Sequence, residues 1–196
     1  MTKIAVFVSG NGSNLQAIID AARQGELPAA IELVVSDRPG CYGLTRAQSA
    51  GIATLAFNPK DFKAKGHYEE LIAKRLKELE VKYLVLAGYM RLVGSVLLER
   101  YPRRIINIHP SLLPLYPGKD GIGQALAAGA SETGVTVHYV DEGIDTGPII
   151  AQERVVIFPG EGRDSLEQRI HAAEHRLYPM ILRQIFQEEK TWPGVR

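Results

Sequence analysis

The chain lacks several features that would have pointed to other functions. Cys41 is its only cysteine, which excludes an intramolecular disulfide and a cysteine-rich zinc site. That thiol lies in Arg38-Pro39-Gly40-Cys41-Tyr42-Gly43, without the His or Asn context of a thiol nucleophile, and reads as chemically ordinary. No apolar run approaches the ~18 residues that a helical membrane span requires. Charge of neither sign is in surplus: 23 Lys and Arg stand against 22 Asp and Glu, a formal net charge of +1. A nucleic-acid binder normally carries a basic excess or a basic run, so nucleic acid is not an expected partner. The nearest approach is Lys60, Lys63 and Lys65, a short cationic stretch that suits a solvated loop as well as an anion site. The N-terminus runs straight into Lys3-Ile4-Ala5-Val6-Phe7-Val8 with no leader-like segment, and a cytoplasmic location is expected.

What is present has the rhythm of an α/β protein. The 196 residues, 45% of them hydrophobic, suit one domain, 1–196, with a substantial core. Short apolar runs at Ile4 to Val8, Ile31 to Val35, Ala53 to Phe57, Tyr83 to Ala87 and Ile105 to Ile108 predict strands. Amphipathic segments separate them; in Tyr68 to Glu80, Leu71, Ile72, Leu76 and Leu79 recur at helical spacing. The pattern changes after residue 109. Prolines 110, 114 and 117 break regular structure, a short helix is expected over Gly123 to Ala128, and Val135 to Val140 alternates as a half-buried strand does. Ile149 to Ile157 is a further strand, reached by a turn too short for a parallel crossover. A long helix over Asp164 to Phe186 and a frayed tail at 191–196 complete the chain. The expected fold is therefore a Rossmann-like three-layer α/β arrangement, with a mainly parallel central sheet and antiparallel strands toward the C-terminal part.

Two segments carry chemistry. The first is Ser9-Gly10-Asn11-Gly12-Ser13-Asn14, between the first strand and a helical Leu15 to Ile19. A strand, a glycine loop and a helix start together bring free backbone amides to an anion, and Ser13 and Asn14 add donors and N-cap chemistry. A dinucleotide fingerprint would put a third glycine at position 15, where this chain has Leu15, so a compact monophosphate fits better than a pyrophosphate. Asp37, at the end of the second strand, stands where a ribose-binding acid would, which leaves a nicotinamide oxidoreductase or a nucleotide-binding module as a rival reading.

The second is Asn107-Ile108-His109-Pro110-Ser111-Leu112-Leu113-Pro114. Strand alternation sets Asn107 and His109 on one face, near the strand end where open α/β sheets bind ligands. Asp141 to Pro148 supplies carboxylates in a glycine-bearing turn, without the regular oxygen spacing and closing Glu of an EF-hand, and no metal is expected.

These segments, with Ala87-Gly88-Tyr89-Met90-Arg91, Gly134 to His138 and Asp145-Thr146-Gly147-Pro148, resemble the folate-dependent phosphoribosylglycinamide formyltransferase family. The resemblance runs from the first strand to about Pro179. It implies formyl transfer from 10-formyltetrahydrofolate to the primary amine of glycinamide ribonucleotide, in purine biosynthesis. Asn107 and a protonated His109 would stabilise the oxyanion of a tetrahedral intermediate, with Asp145 tuning the imidazole. Gly12, Ser13 and Asn14 would hold the substrate phosphate and Glu174 would reach the same substrate. Met90, Arg91, Leu92, Val93 and Asn107 would line the folate site, and Lys65 (or Lys60 or Lys63) would meet the folate glutamate. Thr136 would support the catalytic trio. Lys119 to Gly123 replaces a histidine-bearing stretch found in some members, so no role transfers there. His67, His138, His171 and His175 are read as structural or surface residues. A homodimer is compatible with the sequence. Formyl-folate hydrolases and tRNA formyltransferases share the catalytic trio but usually add a second domain, for which 196 residues leave no room.

Overall fold

Seven strands form one sheet in the order β3-β2-β1-β4-β5-β6-β7. They are β1 (Thr2–Val8), β2 (Ala29–Ser36), β3 (Thr54–Ala56), β4 (Tyr83–Leu86), β5 (Ile105–His109), β6 (Glu132–Tyr139) and β7 (Ile149–Val156). The helices are α1 (Ser13–Arg23), α2 (Tyr42–Ser49), α3 (Lys65–Glu78), α4 (Ser95–Arg100), α5 (Gly121–Ala127) and α6 (Arg163–Thr191). This computed structural model describes residues 1–191, so the tail expected to fray lies, beyond Thr191, outside the described residues.

β1 to β5 pair in parallel, while β5–β6 and β6–β7 are antiparallel. Alternation along β1 explains the layering. Ile4, Val6 and Val8 face a core shared with α1, α2 and α6, whereas Ala5 and Phe7 face a second core under α3 and α4. Both faces of the parallel strands are covered, which is why they read as continuous apolar runs. β6 is interior too: Val135 and Val137 are fully buried against α6.

Two differences from the sequence reading have local causes. α5 begins at Gly121, two residues earlier than its apolar pattern suggests, because the Asp120 side chain caps it by accepting the Gly123 N–H at 3.2 Å. α6 runs past Phe186 with Pro179 inside it. Tyr178, just before that proline, is fully buried and donates its hydroxyl to the carbonyls of Leu86 (2.9 Å) and Ile106 (3.0 Å). One phenol thus ties α6 across β4 and β5.

The chain leaves β1 toward β2 and β3 on one side and resumes with β4 and β5 on the other. The switch of direction therefore falls between β1 and β4, and a crevice opens there beyond the strand ends, as open α/β sheets require.

Candidate active site

A cleft of about 1050 Å³ occupies that crevice. Pockets for small ligands generally span roughly 300–1,000 Å³, so this one lies at the upper end of that range.

The segment after β1 forms one part of its lining. Gly12 adopts φ +75° as the residue before α1, and a Cβ there would come within 2.7 Å of the Gly43 Cα. Only glycine fits that combination of left-handed backbone and close packing. Among the described residues no side chain caps α1, so Ser13 and Asn14 stand in the first turn rather than before it. The first-turn amides consequently lack an internal acceptor and are available to an anion. Asn14 donates to Glu174 on α6 at 3.1 Å, and its own Oδ1 is buried without a partner. Burial pushes the Glu174 carboxyl up to about 7, against the lowering effect of the Asn14 hydrogen bond. His171, one turn earlier on α6, lines the same region.

A second part is the loop after β4. Met90 and Leu92 are large apolar side chains left half or more exposed, and with Arg91 and Val93 they line the cleft. Apolar surface of this kind, rimmed by polar groups, suits an aromatic ligand. The loop is held from behind. Lys65 lies outside the cleft lining and donates to the Leu92 carbonyl at 3.0 Å, while the buried Glu69 accepts the Gly94 N–H at 2.6 Å. Burial raises the Glu69 carboxyl, and the amide of Gly94 and the Lys65 charge oppose it.

The third part is assembled by strand register. Asn107 pairs directly opposite His138, and His109 opposite Thr136, so these four side chains share one face. The Asn107 amide lies 3.2 Å from His138 Nε2. His138 Nδ1 lies 2.8 Å from the Tyr139 carbonyl, which can only accept; Nδ1 therefore carries the proton and Nε2 receives from Asn107. Asp145 approaches both histidines, with oxygens 3.4 Å from His109 Nδ1 and 3.6 Å from His138 Nε2, and accepts the Gly118 N–H at 2.8 Å. Burial works to raise the Asp145 carboxyl, but the neighbouring histidines and the Gly118 amide together hold it below the ordinary carboxylate value. On its far side His109 Nε2 donates to the Tyr116 carbonyl at 2.8 Å. Both ring nitrogens thus face acceptors.

The structure accordingly brings Asn107, His109 and Asp145 together, in the same cleft as Gly12, Ser13, Asn14, Glu174 and Met90 to Val93. Thr136 lies directly opposite His109 across the β5–β6 pair. Its fully buried hydroxyl donates to the Ser111 carbonyl (2.6 Å) and accepts from the Leu113 N–H (3.1 Å) and Gln152 (2.9 Å), anchoring the proline turn that follows His109. Asp37 is buried and accepts the Ser9 hydroxyl, so it does not stand free for a ribose. His138, read from the sequence as structural, is brought into the same cluster beside Asn107 and Asp145. The signal was available: pairing the strand after residue 132 antiparallel to β5 sets a polar side chain opposite Asn107 once the register is known.

Known proteins resemble this chain over nearly its whole length. The formyl transferase family's sequence model matches residues 2–182. A phosphoribosylglycinamide formyltransferase of Bacillus subtilis is 48% identical over 185 residues, spanning 94% of this chain and 95% of that protein. Among solved structures, glycinamide ribonucleotide transformylase 1 from Geobacillus kaustophilus superposes with a TM-score of 0.93 at 55% identity, covering 94% of this chain and 98% of that one. Phosphoribosylglycinamide formyltransferase from Bacillus halodurans gives 0.91 at 47% identity, covering 94% and 95%. A sheet that turns antiparallel after β5, a cleft at the β1/β4 switch point and a match over nearly the whole chain lead to one statement: this protein belongs to the formyl transferase family.

Proposed function

We propose that the protein transfers the formyl group of 10-formyltetrahydrofolate to the primary amine of glycinamide ribonucleotide, in purine biosynthesis. One observation carries this reading: a helix start with free amides and an Asn–His–Asp cluster line one and the same cleft. The amides after Gly12, with Ser13 and Asn14, hold the substrate phosphate, and Glu174 receives its ribose hydroxyls. Met90, Arg91, Leu92 and Val93 bind the pteridine, with backbone groups for its polar edge. Lys65, engaged at the back of that loop, supports it and is the nearest candidate for the folate glutamate.

In the reaction the amine nitrogen attacks the formyl carbon, and the carbonyl electrons pass to oxygen. Asn107 donates an amide hydrogen to that oxyanion. The His109 Nε2–H exchanges its bond to the Tyr116 carbonyl for one to the same oxygen, and the Asp145 carboxylate stabilises the imidazolium from the other side. His138, accepting one Asn107 hydrogen, leaves the other directed at the substrate. Collapse of the intermediate breaks the bond to the folate nitrogen, and the proton lost by the amine is balanced by the one the folate nitrogen gains. Each such donor is typically worth roughly 3–4 kcal/mol in related oxyanion sites.

The reading includes a cytoplasmic location and small-molecule partners rather than nucleic acid, consistent with described helices none of which is long and apolar enough to cross a membrane. It admits a homodimer, which sedimentation velocity checks. The decisive test follows folate absorbance with 10-formyltetrahydrofolate, with and without glycinamide ribonucleotide. Turnover that requires the amine is expected; turnover without it would replace the transferase by a hydrolase.

A further inference from the structure

The β1/β4 switch point is bridged by an arrangement that the reaction itself does not use. Ser9, the first residue after β1, is almost fully buried, and its N–H donates to the Gly88 carbonyl at 3.1 Å. Its hydroxyl donates to the Asp37 carboxylate, at the end of β2, and accepts the N–H of Met90 at 2.8 Å. Three consecutive strands of the sheet, β2, β1 and β4, are thus joined beyond their ends by Asp37, Ser9 and Met90. On one side of this bridge lies the glycine loop, and on the other the loop of Met90 to Val93.

The direction of each hydrogen bond matters. A serine hydroxyl has one hydrogen and is free to rotate. A carboxylate can only accept, and a bond to an ionised acceptor is stronger than a neutral one. Asp37 therefore captures the Ser9 hydrogen and turns the oxygen's lone pairs toward Met90, making Ser9 an obligate acceptor for that amide. Without the carboxylate the hydroxyl could point its hydrogen elsewhere, and the Met90 N–H would lose a fixed partner. Asp37 itself is seven per cent exposed, so its charge needs this bond. Tyr89, between the two anchored residues Gly88 and Met90, packs edge-on against Phe7 at 5.3 Å between ring centroids; burial, then the Asp37 charge, raises its hydroxyl well above the usual phenol range. The neutral phenol and the buried carboxylate are compatible neighbours.

From this geometry we infer that Asp37 is a positioning residue for the folate co-substrate, acting through the Ser9 hydroxyl to fix the Met90 amide and hence the shape of the loop after β4. The inference rests on the transferase reading above, but it also makes a claim about the free protein that activity does not enter.

The test therefore has two readouts on Ser9→Ala, Asp37→Ala, Asp37→Asn and the double variants of Ser9→Ala with each. The first is amide hydrogen exchange at Met90. It is expected to be slow in the parent and in Asp37→Asn, whose side-chain oxygen still accepts the hydroxyl, and at least tenfold faster in Ser9→Ala and Asp37→Ala. The second is steady-state kinetics. Ser9→Ala and Asp37→Ala are expected to raise KM for 10-formyltetrahydrofolate about fivefold, the loss of one ordinary hydrogen bond, and to raise KM for the amine substrate less. Because Asp37 acts through Ser9, Ser9→Ala/Asp37→Ala is expected to be no worse than the worse single variant. Multiplying effects, equal rises in both KM values, or Asp37→Asn behaving as Asp37→Ala would each overturn the inference. Should Ser9→Ala fail to fold with an unpaired buried carboxylate, Ser9→Ala/Asp37→Asn lacks that charge, and its exchange rate and KM are read instead. Parent protein that does not turn over the folate would reject the transferase reading, while the exchange pattern would still decide the role of Asp37.

Discussion

On the glycine-loop side of the cleft, six consecutive residues, Ser9 to Asn14, offer mostly backbone to a ligand. On the catalytic side Asn107, His109, His138 and Asp145 offer only side chains, delivered by β5, by β6 and by the turn before β7. The first is local in sequence and is organised by one left-handed glycine and one helix start. The second exists only because β6 pairs antiparallel to β5 in a particular register. A backbone site tolerates side-chain change but not a change of conformation; a side-chain site behaves in the opposite way. The two sides should therefore fail differently when altered.

The largest effect belongs to the catalytic side. His109→Ala and Asn107→Ala are each expected to lower kcat about a hundredfold or more, as loss of an oxyanion donor does elsewhere, while KM for the amine substrate stays close to that of the parent. Steady-state kinetics on folded protein checks this, and a near-normal kcat for His109→Ala would break the proposed division of labour.

Gly12→Ala tests the other side. A Cβ there meets the Gly43 backbone at 2.7 Å on a residue held at φ +75°. The expected outcome is a KM for the amine substrate raised about tenfold or more, with stability lowered by roughly 1–3 kcal/mol from backbone strain. If kcat rather than KM carries the loss, the loop shapes the reacting groups and not the phosphate.

Glu174 sharpens the comparison, since it joins α6 to the glycine-loop side by accepting from Asn14. Its carboxyl titrates at about 7 when folded, against an ordinary value of 4.5. Between those values the folded chain holds a proton that the unfolded chain has released, so stability contributed at this site falls as pH rises from about 4.5 to about 7. Glu174→Gln removes the titration. Its unfolding free energy should rise relative to the parent across that window, by an amount on the order of 1–3 kcal/mol, and KM for the amine should rise several-fold. Thermal unfolding at a series of pH values reads the first, and kinetics the second.

The smallest effect is expected at Gly121, where a Cβ would press to 3.2 Å from His109 Nε2 and 3.1 Å from the Tyr116 carbonyl. Gly121→Ala should lower kcat by only a few-fold, because neighbours must give by a few tenths of an ångström. An effect as large as that of His109→Ala would mean that the Tyr116 contact does more than hold the resting ring.

Much of this was legible from sequence, and the misreadings are instructive. The parallel strands declared themselves because both of their faces are buried, so that β1 reads as an unbroken apolar run. The glycine loop was legible because its working parts are adjacent along the chain. Asn107 and His109 followed from alternation within one strand. His138 was taken as structural because nothing within its own segment shows what lies opposite. Asp37 looked like a ribose ligand because its place in the fold matches one; only the Ser9 hydroxyl 28 residues away shows that the carboxylate is already engaged. Thr136 reads as a support to the catalytic trio, and the structure shows its hydroxyl closing the Ser111–Leu113 turn that follows His109.

The sequence by itself determined the class of fold, the glycine loop after β1 and the shared face of Asn107 and His109, since periodicity and turn chemistry act over a few neighbouring residues. Only the tertiary structure decided which polar groups are already partnered. Asp145 meets His109 across 36 residues, Asn14 meets Glu174 across 160, and Asp37 is occupied by Ser9. Those pairings depend on strand order, register and the packing of α6 over the sheet, and in a buried site the free energy of a polar group is set by the partner it meets there.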